Sequence, residues 1–138
     1  MTDRILVDTN VWLDILLDRE PHVDDSAAAL SLAQRHGATL VVGATTVTTI
    51  FYFVDKLSER ERASDAVEQL LDNHEVAAVG GDVLRSALDA DLSDFEDGVL
   101  HEAARRHHVD LLITRNASDF EQGGLPVSTP SEYVAAHR

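Results

Sequence analysis

Short apolar runs alternate with longer amphipathic ones along this chain. Arg4-Ile5-Leu6-Val7, Thr39-Leu40-Val41-Val42-Gly43, Glu75-Val76-Ala77-Ala78-Val79 and Asp110-Leu111-Leu112-Ile113-Thr114 are rich in β-branched and aliphatic residues and have strand length. Runs of this kind suit strands buried on both faces, as in a parallel sheet. A weaker fifth strand is expected around Leu125-Pro126-Val127, after a polar loop over 115–124. Helices fill the intervals. Asn10 caps one from Val11 to about Asp18, with Pro21 closing the stretch, and an Ala/Leu-rich helix over 24–36 stops at Gly37. Residues 45–57 read as helix despite their β-branched content, because a strand that long would be unusual. Ser58 with Glu61 and Ser93 with Glu96 have capping-box spacing for helices ending near Asn73 and His108, and a short helix is expected over 82–89. Thr129, Pro130 and Glu132 supply N-cap, N1 and N3 of a closing helix. The alternation predicts an α/β fold: a single three-layer αβα domain over 1–138, with a mostly parallel sheet of about five strands and right-handed crossovers.

Composition narrows the chemistry. At 138 residues, 44% hydrophobic and 26% charged, the chain suits one ordinary hydrophobic core. It has no cysteine, which excludes disulfides, thiol nucleophiles and Cys-ligated metals. No apolar run is long enough for a membrane span, and the first strand begins too early for a signal peptide, so a cytoplasmic location is expected. Eleven Lys+Arg against 25 Asp+Glu give a formal charge of −14, and Lys56 is the only lysine. A surface so acidic repels nucleic acid unless metal ions, local arginines or a basic partner supply positive charge.

In open α/β sheets the chemistry lies beyond the carboxyl ends of the strands. Asp8 closes the first strand, and Asn116 and Asp119 follow the fourth. Asp94 and Asp97 lie at i, i+3 in the first turn of the helix before that strand and share one face. Each acid alone also has a local role open to it, in a turn, a cap or the helix dipole. Converging at one edge, they form an oxygen-only, strongly negative site of the kind that binds hard cations such as Mg²⁺ or Mn²⁺. His101, one turn after Asp97, is placed to approach the same site. His22, His36, His74 and His137 read as solvent-facing. A Gly-rich phosphate loop and a Gly-x-Ser-x-Gly elbow are both absent. Asn10 stands where a dehalogenase-like phosphatase needs a second aspartate, and Lys56 precedes the third strand, too early for a phosphorelay receiver.

The segment Val7-Asp8-Thr9-Asn10-Val11-Trp12-Leu13-Asp14, the acids of Asp94-Phe95-Glu96-Asp97, and Ile113-Thr114-Arg115-Asn116-Ala117-Ser118-Asp119-Phe120 together resemble a PIN domain of the VapC-like toxin type. The resemblance spans almost the whole chain in length and element order. It implies a metal-dependent endoribonuclease that hydrolyses phosphodiesters in single-stranded or tRNA-like RNA. Carried over by position, Asp8, Asp97 and Asp119 would be metal ligands, and Asp94 an additional acid for water or a second ion. Asn10, Thr114 and Asn116 would support them with polar groups, and Arg115 would contact a backbone phosphate or form a surface salt bridge. Thr49 falls where family members carry a glutamate, and Asn116 where many have a further aspartate. Two readings therefore follow: an active Mg²⁺- or Mn²⁺-dependent nuclease, or a fold retained to bind protein or RNA partners. The resemblance also implies an antitoxin partner and a homodimer, with Trp12, Phe51, Tyr52 and Phe53 shared between such contacts and the core.

Overall fold

The computed structural model describes residues 3–90 and 92–138. Five strands, β1 (Arg4–Val7), β2 (Thr39–Gly43), β3 (Glu75–Ala77), β4 (Leu111–Ile113) and β5 (Val127–Ser128), form one sheet in the order β3-β2-β1-β4-β5. Every pairing is parallel: Ile5 sits opposite Leu40 on one side and Leu111 on the other. The intervening helices are α1 (Thr9–Leu16), α2 (Val23–Arg35), α3 (Ala44–Leu57), α4 (Arg60–Asn73), α5 (Gly81–Leu88), α6 (Phe95–Arg106) and α7 (Pro130–His137), and a 3₁₀ turn covers Ala117–Gly123.

Strand side chains alternate between two apolar layers, as the pleat requires. Ile5, Val7, Leu40, Val42 and Ile113 pack with buried residues of α1, α2, α3, α4 and α7. Leu6, Val41, Ala77 and Leu112 pack on the opposite face with α5 and α6. This is the αβα sandwich expected from the runs. β2 passes so close beneath α6 that a Cβ on Gly43 would stand 2.5 Å from Leu100 Cδ1, so a larger residue there would force the Leu100 side chain to move.

Strand order reverses at β1, whose neighbours β2 and β4 lead off in opposite directions. A crevice opens at such a switch point, beyond the carboxyl ends of the strands. Residues 8 and 114 therefore stand side by side although 106 positions separate them.

Several local expectations shift. Asp8, not Asn10, caps α1: its backbone is extended and its carboxylate accepts from Thr9 N. α1 ends at Leu16, and Asp18 takes a left-handed conformation (φ 52°) that short polar side chains tolerate. Neither serine capping box forms. Glu59 occupies the N-cap of α4 without a side-chain bond, while Ser58 accepts from Arg62. Asp94 caps α6 by accepting from Asp97 N, which starts the helix one residue later than a cap at Ser93, whose partner would be Glu96 N. The 129–132 capping box is present in full. The polar stretch after β4 is the 3₁₀ turn rather than an open loop, β3 stops at Ala77, and β5 lies at Val127–Ser128.

Candidate active site

A cleft of about 520 Å³ opens at the switch point. Asp8, Asn10, Thr49, Asp97, Asn116 and Asp119 line it, together with Glu96 and with Thr45 and Thr48 of α3. Four carboxylates from three distant segments thus share one cavity, and no lysine or arginine is among its lining residues.

Asp8 is the most tightly held of the four. It is 7% exposed; one oxygen accepts from Thr9 N at 2.7 Å and the other from Thr114 Oγ1 at 2.7 Å. Thr114 is fully buried, and its hydroxyl in turn accepts from Asn116 N at 3.1 Å, so one relay ties the β4 end to the β1 acid. Burial raises the Asp8 pKa above its ordinary 3.8; the Thr114 and Thr9 hydrogen bonds and the Arg115 charge oppose that, and Asp119 adds to it. Each Asp8 oxygen keeps a further lone pair free to face the cleft.

Asp97 is pushed from 3.8 up to about 6, by burial first, then by the charges of Asp94, Asp8, Asp119 and Glu96. Like charges interact this strongly only when they crowd together. Asp94 itself does not line the cleft; it is exposed, fixes the first turn of α6 and acts on the site through its charge. On α3, the Thr49 and Thr48 hydroxyls donate to Thr45 O at 3.1 and 2.9 Å, leaving acceptor capacity toward the cavity. Thr9 and Thr46 share a hydrogen bond at 2.7 Å that pins the start of α1 to α3.

Arg115 does not reach the cleft. Its Nε stands 2.7 Å from Oδ2 of Asp14, a carboxylate with no exposed surface, and Arg19 Nε lies 3.1 Å from the other oxygen. A buried carboxylate demands such partners, so Arg115 is turned to the opposite side, where it also meets His22 Nε2 at 3.2 Å. Arg115 thus pairs with a buried acid instead of lining the cleft, and keeps a quarter of its side chain exposed. His101 likewise points away. It is 4% exposed and wedged beneath the 3₁₀ turn, where a Cβ on Gly123 would overlap its ring. His74 is half-buried, 4.9 Å from the Trp12 ring, and His22 is half-buried against Arg115, so neither faces solvent freely.

Glu96, Thr45, Thr48, Phe53 and Phe95 were not read as lining residues from the sequence. A signal existed in α3: positions 45, 48, 49 and 53 fall at helical spacing on one side. Trp12 is core and Phe51 half-buried beside it, whereas Tyr52 and Phe53 are exposed.

The donor set is all oxygen, which suits a hard divalent ion. Among the described residues no three His, Asp or Glu side chains form a ready-made cage. That geometry fits an ion retaining several waters and held through one or two carboxylates, as Mg²⁺ characteristically is.

The model of the PIN domain family matches residues 4–118. This chain belongs to the PIN domain family. Among PIN relatives, Ribonuclease VapC1 of Aquifex aeolicus (strain VF5) is 22% identical over 137 residues, 96% of this chain and 94% of its own length. VapBC2 from Rickettsia felis, solved bound to a DNA fragment from its promoter, superposes with a TM-score of 0.71 at 14% identity, covering 91% of this chain and 98% of that one. A toxin–antitoxin complex from Klebsiella pneumoniae gives 0.69 at 22% identity, covering 93% and 98%. The likeness to these solved structures is one of fold, the parallel α/β sheet described above. Among the described residues, no helix is long and apolar enough to cross a membrane.

Proposed function

We propose that this PIN domain is a Mg²⁺- or Mn²⁺-dependent endoribonuclease, with Asp8, Asp97 and Asp119 as the acids around the ion, one or two of them ligating it directly and the rest through its waters. The observation that carries the reading is the crowding of these carboxylates with Glu96 in one cleft that no basic side chain lines. Its relatives point the same way: one is named a ribonuclease and others are solved as toxin–antitoxin complexes, so an antitoxin protein is the proposed partner. When bound, a divalent ion supplies the positive charge that offsets the phosphate and makes water a better nucleophile.

The chain's own residues divide the remaining work. Thr114 and Thr9 N–H fix the direction of the Asp8 oxygens. Asp94 holds the α6 first turn and so the place of Asp97. Asn10 and Asn116 offer amide N–H donors along the wall for water or a phosphate oxygen, and Thr49, its proton on Thr45 O, can accept from a water.

RNA cleavage with Mn²⁺ or Mg²⁺, run with and without chelator, tests this. Loss of activity on chelation and in folded Asp8→Asn and Asp97→Asn proteins is expected; RNA left intact by metal-loaded wild type refutes it. A second reading, a PIN fold kept for partner binding, is favoured by the uncharged α3 wall, where Thr49 spends its proton on Thr45 O. Calorimetric titration with Mn²⁺ separates them, since Asp8-dependent binding is expected only of the nuclease.

A further inference from the structure

An RNA enzyme with a charge of −14 faces a difficulty of affinity. Proteins ordinarily hold RNA by placing lysine and arginine against phosphates. Here the cleft is lined by four carboxylates and no cation, and Arg115, one residue from the cleft-lining Asn116, is committed to Asp14. An ion in the cleft serves one phosphate at most. Attraction for the rest of the substrate has to come from something other than charge.

The same cleft offers it. Phe53 of α3 and Phe95 of α6 line the cavity and remain 37% and 48% exposed, so two aromatic rings border the same acidic cleft. Leu84 of α5, 40% exposed, lines the wall with them. Tyr52 stands edge-on to Phe53 with ring centroids 5.2 Å apart, restricting how that ring can turn. Aromatic faces beside a phosphate-handling site are what unpaired bases stack on, and stacking does not depend on counterion release.

We infer that Phe53 and Phe95 are nucleobase-stacking platforms, through which the cleft grips an RNA strand by its bases rather than its backbone. The inference rests on the ribonuclease reading for its choice of ligand. A paired helix keeps its bases stacked on one another and has no free face to give. Binding is accordingly not weakened by salt: each phosphate neutralised by a basic side chain on a single strand would add about 0.7 to the salt slope, and the cleft supplies none, while salt screens the repulsion from its carboxylates.

The test is equilibrium binding of a fluorescent unpaired oligoribonucleotide, by anisotropy, in chelator at about 1 M salt, where the Debye length is about 3 Å and repulsion from the carboxylates is screened. Wild type is expected to bind under these conditions. Phe53→Leu and Phe95→Leu, which stay apolar but lose the ring, are expected to weaken binding about 5- to 100-fold each. Phe53→Trp and Phe95→Trp are expected to restore it. The same strand annealed to its complement is expected to bind no better than it does to the leucine variants. In cleavage assays the leucine variants are expected to raise KM by a like factor, with kcat within about threefold of wild type. Leucine variants that bind as wild type does, equal binding of the duplex, or no binding by wild type each overturn the stacking assignment. Failure of wild type to cleave while this binding pattern holds overturns the hydrolase reading alone.

Discussion

Replacing Asp97 by Asn should make the metal-free protein more stable at neutral pH. The folded-state pKa of about 6 lies above the ordinary 3.8, so the folded chain takes up a proton the unfolded chain has already released. The penalty for ionised Asp97 is absent below about pH 4, grows as pH rises through about 6, and is complete above about 7. A shift of about two units corresponds to at most about 3 kcal/mol, at 1.36 kcal/mol per unit. Asp97 is less than half-buried, and solvent screening reduces this to about 1 kcal/mol. For a chain of 138 residues that is about 4 °C in Tm. Thermal unfolding of wild type and Asp97→Asn in chelator, from pH 4 to 8, should give curves that coincide at the acid end and separate through pH 6, the variant melting higher. Added Mg²⁺ or Mn²⁺ should then close the gap from the wild-type side, by about 1.4 kcal/mol at tenfold excess over Kd. A variant that melts lower at pH 7.5, or by an amount independent of pH, would show that the four carboxylates do not crowd as described.

Three further outcomes are expected. Arg115→Ala leaves the buried Asp14 with Arg19 alone and should lower stability by about 2–4 kcal/mol in urea titration at unchanged m, more than Arg19→Ala, whose contact is longer and more exposed. Thr114→Val keeps the shape but removes the donor to Asp8 and the acceptor for Asn116 N; it should cost about 1–3 kcal/mol and move the acid limb of the pH–rate profile upward, because the hydrogen bond it deletes lowers the Asp8 pKa. Gly123→Ala drives a methyl group into the His101 ring, so the turn carrying Asp119 must shift; about 1–3 kcal/mol of stability should be lost, with cleavage falling further than in an exposed control such as Glu121→Ala.

The sheet was legible because its signal is coarse. Runs such as Leu40-Val41-Val42 bury both faces and tolerate no other placement, and the helices between them follow from connection length. Caps were less legible because adjacent residues can each start the same helix, one N–H apart. Ser93 and Asp94 are both good N-caps, and the structure gives the position to Asp94, which accepts from Asp97 N. At the site, Asp8, Asp97 and Asp119 reach one cleft because sheet topology fixes where strands end, which the sequence pattern encodes. What it does not encode is which way a side chain turns there. Arg115 follows β4 as closely as Asn116 does, yet a wholly buried Asp14, 101 residues earlier, draws it to the other side. Glu96 and Phe95 escaped notice for a related reason: a helix N-terminus presents several consecutive residues to a cavity, not only those at i, i+3.

Placing β1 in the middle of the sheet has a consequence for biosynthesis. Asp8 emerges early but gains its Thr114 partner only after β4 has been made and inserted beside β1. A chain that ends before that point has β1 without a neighbour on one side and Asp8 without its Thr114 partner. Premature termination therefore leaves an open strand edge and an incomplete cleft, because both depend on a segment made late in translation.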